Sequence, residues 1–317
     1  MKSSWYLLLC FLTLGVLAVS AEQTSPSSSR EVNVLLVVGA AGTEQYGKLF
    51  ERQVTAWEEA CSKAGLPIQI IGRGKPDDDA AQLEAALSQA SSQSTGQFWL
   101  VMIGHGTFDG REAKFNLRGP DVTARQSSDW LRHMKRELVL IQTASASGGF
   151  IASLTGKNRI VVTATKSADE IFYTRFGEYF APAIAGLAEA DLDHDKQVSV
   201  LEAFLFASKK TSEFYEAEGR LATEHALLED NGNGVGTRFE VFQGVEATDP
   251  KADGRRAAQV ALVLSEEEQK LTEAQRHQRD VLERELDALK SRRADLGEDR
   301  YYADLETLMR KLAEVYR

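Results

Sequence analysis

The stretch Gln97-Phe-Trp-Leu-Val-Met-Ile103-Gly104-His105-Gly106 decides how this chain is read. Six apolar residues in succession, closed by glycine, predict a strand buried on both faces. Runs of the same kind lie at Val32–Val38 (VNVLLVV), 67–71, Glu137–Gln142 (ELVLIQ) and 159–164 (RIVVTA). Helical spacing separates them. Over 50–64, Val54, Trp57, Ala60 and Cys61 fall on one face and Gly65 can end the helix. Asp77 to Asp79 can cap a helix running through Leu83 and Leu87 to Ala90. Shorter helices are predicted at 128–134, 150–154 and 176–185. Strands alternating with helices predict an α/β fold, a mainly parallel sheet sandwiched by helices. Function in such sheets gathers at the carboxyl ends of the strands.

Two strand ends carry chemistry. The strand 97–103 ends in Gly104-His105-Gly106, which offers His105 as a base and the Gly106 backbone N–H as an oxyanion donor. The strand 137–142 ends in Thr143-Ala144-Ser145-Ala146-Ser147-Gly148-Gly149-Phe150, small residues that leave room for a substrate. Ser145 offers a hydroxyl, Ser147 and Gly148 can line a substrate, and a helix start beyond them can supply further N–H groups. Read alone, each segment is a glycine-bounded turn.

Together they resemble the caspase/legumain-type cysteine peptidases, the caspase–haemoglobinase fold. The shared order is a strand with a glycine-flanked His, a hairpin-like stretch (108–126), then a strand ending in a small-residue turn. The resemblance covers 32–207. It implies that His105 is the base and that the nucleophile precedes Ser147-Gly148. Aligned on that dipeptide, the nucleophile position holds Ser145; a register shifted by one places Ala144 there. Neither is Cys. The resemblance thus implies a peptidase architecture without its usual nucleophile. Two readings stay open: a pseudopeptidase that binds polypeptide in the inherited cleft, and a Ser–His hydrolase in which a third group orients His105. Asp109, Asp121 and Asp129 are candidates for that third group, and nothing in the sequence selects among them.

Composition agrees with a folded, exported protein. The 317 residues carry a formal net charge of −10, which argues against nucleic acid as the main partner. Only two cysteines are present, Cys10 and Cys61, so a disulfide framework and a Cys-rich zinc site are excluded. Cys61 falls on a helix far from the strand ends, where it reads as a small buried apolar residue. Residues 1–21 form a signal peptide, with Lys2 before the apolar run 5–19 and Val19-Ser20-Ala21 at the cleavage site. A Ser-rich lead-in follows at 22–30, and no later stretch is long and apolar enough to span a bilayer. The expected destination is periplasmic or secreted.

A second motif predicts calcium. Asp191, Asp193, Asp195, Gln197, Ser199 and Glu202 stand at loop positions 1, 3, 5, 7, 9 and 12 of an EF-hand. Lys196 takes the place of the usual glycine, at about 1 kcal/mol in left-handed geometry. Glu229 to Gly236 is acidic and glycine-rich without that register and reads as a turn, with an irregular cation site as the alternative. His225 reads as a satisfied histidine rather than a ligand. Gly42 to Lys48 has phosphate-loop spacing, yet Leu49 stands where the magnesium hydroxyl belongs, so nucleotide binding is disfavoured.

The domain division follows: an α/β domain over 31–248, a linker over 249–264 and a helical hairpin or coiled coil over 265–317. Ser265 with Glu268 signals the first helix of that hairpin, Gly297 ends it, and Asp299 can cap the second. The leucines of both helices predict self-association or a partner helix as a third functional reading.

Overall fold

The structure, a computed structural model, describes residues 31–75 and 78–317. The expected signal peptide, the expected lead-in and Asp77 lie outside the described residues. From the amino end the elements are β1 (Val32–Val38), α1 (Glu44–Ala64), β2 (Ile68–Ile71), α2 (Asp79–Ser91) and β3 (Gln97–Ile103). Then come the short strands β4 (Gly106–Phe108), β5 (Ala113–Phe115) and β6 (Val122–Thr123), followed by α3 (Ala124–Leu131), β7 (Glu137–Gln142), α4 (Ile151–Leu154) and β8 (Arg159–Thr163). The remainder is α5 (Phe176–Ile184), α6 (Val200–Ala217), β9 (Leu227–Glu229), a two-residue ribbon β10 and β11 (Phe242–Gln243, Glu246–Ala247), and helices α7 (Glu266–Lys270), α8 (Glu273–Ser291) and α9 (Glu298–Val315).

Six strands form one sheet in the order β2-β1-β3-β7-β8-β9. The first five are parallel, and β9 runs antiparallel to β8. Successive side chains of a strand point to opposite faces, so an unbroken apolar run implies cover on both. That is observed. Trp99, Val101 and Ile103 face a core built with Phe50, Val54 and Trp57 of α1 and with α5 and α6. Their neighbours Phe98, Leu100 and Met102 face a second core with Leu83 and Leu87 of α2, Leu131 of α3 and Leu154 of α4. The α/β class read from the sequence is the class of the structure.

Capping moved several boundaries. α1 begins at Glu44 rather than at residue 50, because Thr43 accepts the N–H of Tyr46; Gly65 ends it at φ 64°. α3 begins at Ala124 rather than 128, since Thr123 and Gln126 form a reciprocal capping box. The stretch 150–154 is split into a 3-10 turn (Ser147–Phe150) and the single turn of α4.

Residues 249–264, read from the sequence as a linker, run against the core instead. Ala257 and Leu262 are fully buried. The Asp230 carboxylate accepts the backbone N–H groups of Gly254, Arg256 and Ala257, and the Val200 N–H donates to the Val260 carbonyl. The hairpin has an extra break as well. Ser265 caps only α7; Thr272 with Gln275 opens a new capping box, so α8 starts afresh. Gln275, near the start of α8, donates to the carbonyl of Val315 at the end of α9, which makes the pair antiparallel. Gly297, not Asp299, is the N-cap of α9. Among the described residues no helix is long and apolar enough to cross a membrane.

Trp57 is 1% exposed and lies 6.1 Å from the Trp99 ring and 6.2 Å from Phe180. Trp57→Ala is therefore expected to cost about 3–5 kcal/mol of unfolding free energy, read as a lower denaturant midpoint at unchanged slope. A loss under about 1 kcal/mol would contradict this packing.

Candidate functional site

The β3 and β7 tips bring His105, Gly106 and Ser145 together. The backbones approach so closely that a Cβ on Gly106 would sit 2.1 Å from the Ser145 carbonyl oxygen, so glycine is required there. Ser145 is 3% exposed. Its Oγ accepts the Gly106 N–H at 3.0 Å and donates to the Gly106 carbonyl at 3.0 Å. The hydroxyl proton thus goes to a backbone carbonyl, and the N–H expected to hold an oxyanion is taken by the hydroxyl itself. The next residue, Ala146, has φ 56°, left-handed geometry that holds the turn against a side-chain cost.

His105 faces the other way, toward α1. Its ring lies 4.6 Å from Tyr46, 5.2 Å from Phe50 and 6.1 Å from Tyr173, centroid to centroid. Burial among these rings pushes its pKa below the ordinary histidine value, and a hydrogen bond to the Ala41 backbone partly opposes that shift. At neutral pH the ring is a neutral imidazole boxed by aromatics. The candidate orienting carboxylates are engaged elsewhere. Asp109 accepts the N–H groups of Arg111 and Glu112, Asp121 accepts Asn116 Nδ2, and Asp129 sits on the surface beside Arg132.

The expected substrate residues are also committed. Ser147 is fully buried, its Oγ accepting the Thr165 N–H and lying 3.2 Å from Thr165 Oγ1. The Gly148 N–H donates to Thr165 Oγ1 at 2.8 Å, and the Gly149 N–H to the Ala146 carbonyl. The N–H groups of Gly148 and Gly149 are therefore already satisfied, one by Thr165 beyond β8 and one inside the turn.

One segment, residues 166–175, buttresses this turn. The Ala146 N–H donates to the Glu170 carbonyl, Thr174 Oγ1 donates to the Thr143 carbonyl, and Tyr173 supplies a wall of the His105 box. Glu170 is itself held by His225, whose Nδ1 is 2.5 Å from its carboxylate and whose N–H donates to it. Glu224 anchors the far end, accepting the N–H groups of Arg175 and Phe176 and the Tyr215 hydroxyl. Tyr46, Tyr173, Glu170 and Glu224 were not singled out from sequence. Tyr46 lay inside the phosphate-loop spacing, which the structure turns into the start of α1. Tyr173 and Glu170 belong to a segment without periodicity.

The acidic loop is separate. Asp191, Asp193 and Asp195 bring carboxylate oxygens within 4.8 Å of one another. The Lys196 N–H donates to Asp191, the Asp195 N–H to Asp193 and the Gln197 N–H to Asp195. His194 and Lys196 take left-handed φ of 64° and 71°. Asp191 Oδ1 is buried without a hydrogen-bond partner. Glu202 instead accepts the N–H groups of Leu192, Asp193 and Ser199 and the Ser199 hydroxyl. Gln197 spends its side chain on Asp195 and on the Ser265 N–H. In the second acidic stretch, Glu229 accepts the N–H groups of Gly232 and Gly234, and Asp230 those of 254–257 already described, so these carboxylates close turns.

No protein-family model and no curated protein sequence matches the chain. Solved structures do. The initiator caspase Dronc of Drosophila matches with 14% identity and a TM-score of 0.43, over 67% of this chain and 85% of that one. A protein of Geobacter sulfurreducens matches with 9% identity and a TM-score of 0.42, over 66% and 98%. Caspase-1 of Spodoptera frugiperda matches with 7% identity and a TM-score of 0.42, over 64% and 87%.

Glu224 generates a pH dependence. Burial, opposed by its backbone donors, raises its pKa from 4.5 to about 7. Between those values the folded chain holds a proton that the unfolded chain has lost. Stability therefore falls as pH rises through this window and is level above it. The shift corresponds to about 3 kcal/mol. Melting of the wild type should drop from pH 5 to pH 7.5, and Glu224→Gln should flatten that slope. Identical slopes would refute the assignment.

Proposed function

We propose that this chain is an exported caspase/legumain-like peptidase homologue without the catalytic Cys, a pseudopeptidase that binds polypeptide beside His105. One observation carries the reading: the Ser145 hydroxyl is bonded both ways to the Gly106 backbone, while His105 is turned into an aromatic box. A serine nucleophile needs a base on its proton and free donors for the oxyanion. Here the carbonyl of Gly106 takes the first role and the hydroxyl occupies the second. Ile171 and Phe172, 53% and 65% exposed, adjoin Tyr173 and give the segment over the site an apolar surface suited to a polypeptide. The export reading rests on residues 1–21.

The alternative, a Ser–His hydrolase, is separated by labelling with a fluorophosphonate. No specific labelling is expected. Labelling of Ser145 that is lost in Ser145→Ala would overturn the pseudopeptidase reading. Ser145→Ala should instead lower stability by about 1–3 kcal/mol, because it leaves the buried Gly106 N–H and carbonyl unpaired.

We also propose that the 191–202 loop holds calcium, a structural ion at extracellular concentrations. The support is the convergence of Asp191, Asp193 and Asp195 together with the unpartnered, buried Oδ1 of Asp191. Asp191, Asp193 and Asp195 would be ligands; Glu202 would have to exchange backbone donors for the ion. Millimolar calcium should raise the melting temperature over a chelator control, and Asp193→Asn should abolish the rise. An unchanged melting temperature would remove the site.

A further inference from the structure

We propose that a cavity of about 100 Å³ between α6, the end of β8 and residues 222–226 binds a small uncharged molecule, apolar except for one hydroxyl or amide group. One residue of its wall points to such a guest. Ser208, in the middle of α6, is 5% exposed, and its Oγ is buried without a hydrogen-bond partner. A hydroxyl inside a helix can turn back to the carbonyl four residues before it. Thr211 does so, donating to the Ala207 carbonyl, and Ser212 donates to Glu216. Ser208 makes no such bond. A buried hydroxyl left unpaired destabilises the fold, and a guest that bonds it removes that loss.

The rest of the lining sets what the guest is. Ala164 and Phe176 are fully buried, Ala226 is nearly so, and Phe239 packs against the same core. These walls favour an apolar stem. Charge of either sign is disfavoured. The buried carboxylate of Glu224 lies in the wall and repels an anion. Its oxygens are spent on the N–H groups of Arg175 and Phe176 and on the Tyr215 hydroxyl, so an ammonium group finds no free carboxylate oxygen there. Arg238 and Glu240, on the outer side, are paired with each other, and His225 has its Nδ1 against Glu170. A charged guest among groups already paired would lose its hydration without return. Size follows from volume. Water fills about 30 Å³ in the liquid, so the cavity takes a molecule of about four or five non-hydrogen atoms. A short branched alcohol or amide meets all three demands.

The test uses the full chain and isobutanol. In methyl spectra of alanine-labelled protein, the Ala164 and Ala226 signals should move along one saturable curve in the millimolar range. The melting temperature should rise by about 2–4 °C at roughly ten times the dissociation constant. Ser208→Ala keeps the cavity and removes the unpaired hydroxyl, so it should fold at least as well as the wild type. Its affinity for isobutanol should fall about tenfold, while its affinity for xenon is kept or raised. Ser208→Leu fills the space and should abolish both; if that variant does not fold, Ser208→Ala decides alone. Alanine signals that do not saturate, an unchanged isobutanol affinity in Ser208→Ala, binding that survives Ser208→Leu, or a response to acetate or methylammonium equal to that for isobutanol would each overturn the proposal.

Discussion

The tips of β3 and β7 meet at a distance that leaves no room for a Cβ on Gly106, and this close approach governs the rest of the site. Backbone that near must satisfy its polar groups locally, because a buried, unpaired N–H or carbonyl costs about 1–3 kcal/mol. The Ser145 hydroxyl meets the demand with one atom that both accepts and donates. A thiol in its place would be a larger atom and a weaker hydrogen-bonding group. Ser145 is thus the residue that closes the gap between the strands.

The consequences spread outward from that clip. With the Gly106 backbone fixed, His105 is fixed too, and its ring has the aromatic residues of α1 and Tyr173 for neighbours. Tyr173 reaches it only because the 166–175 segment is tied at both ends, by Glu170 to the Ala146 turn and by Glu224 to the start of α5. These are polar ties under an apolar surface. The exposed Ile171 and Phe172 are consequently held on a fixed backbone rather than on a free loop.

A second theme is what the chain does with its carboxylates. Glu202, Glu224, Glu229, Asp230 and Asp253 are all buried, at 5% exposure or less. Each accepts backbone N–H groups at a turn or helix start. Much of what looks in the sequence like a cation-binding surplus is therefore capping. Asp191 differs because one of its oxygens is left buried and unpartnered.

The sequence by itself determined the layered α/β architecture. Five apolar runs and their intervening helical spacings can be buried in few other ways, and β1, β3 and β7 stand at the residues expected. It also located His105 and the small-residue turn, since glycines around a strand end leave a local mark. Starts of α1 and α3 were misplaced because a single Thr capping a polar turn outweighs apolar periodicity. The packed course of 249–264 was hidden because its turn-like composition suits a linker, while its burial depends on Asp230 from far along the chain. Only tertiary structure decided that Ser145 and His105 stand side by side without engaging each other. Sequence spacing can bring a hydroxyl and an imidazole to neighbouring strand tips. Which partner each finds is set by the few ångströms between backbones and by rings delivered from α1 and the 166–175 segment.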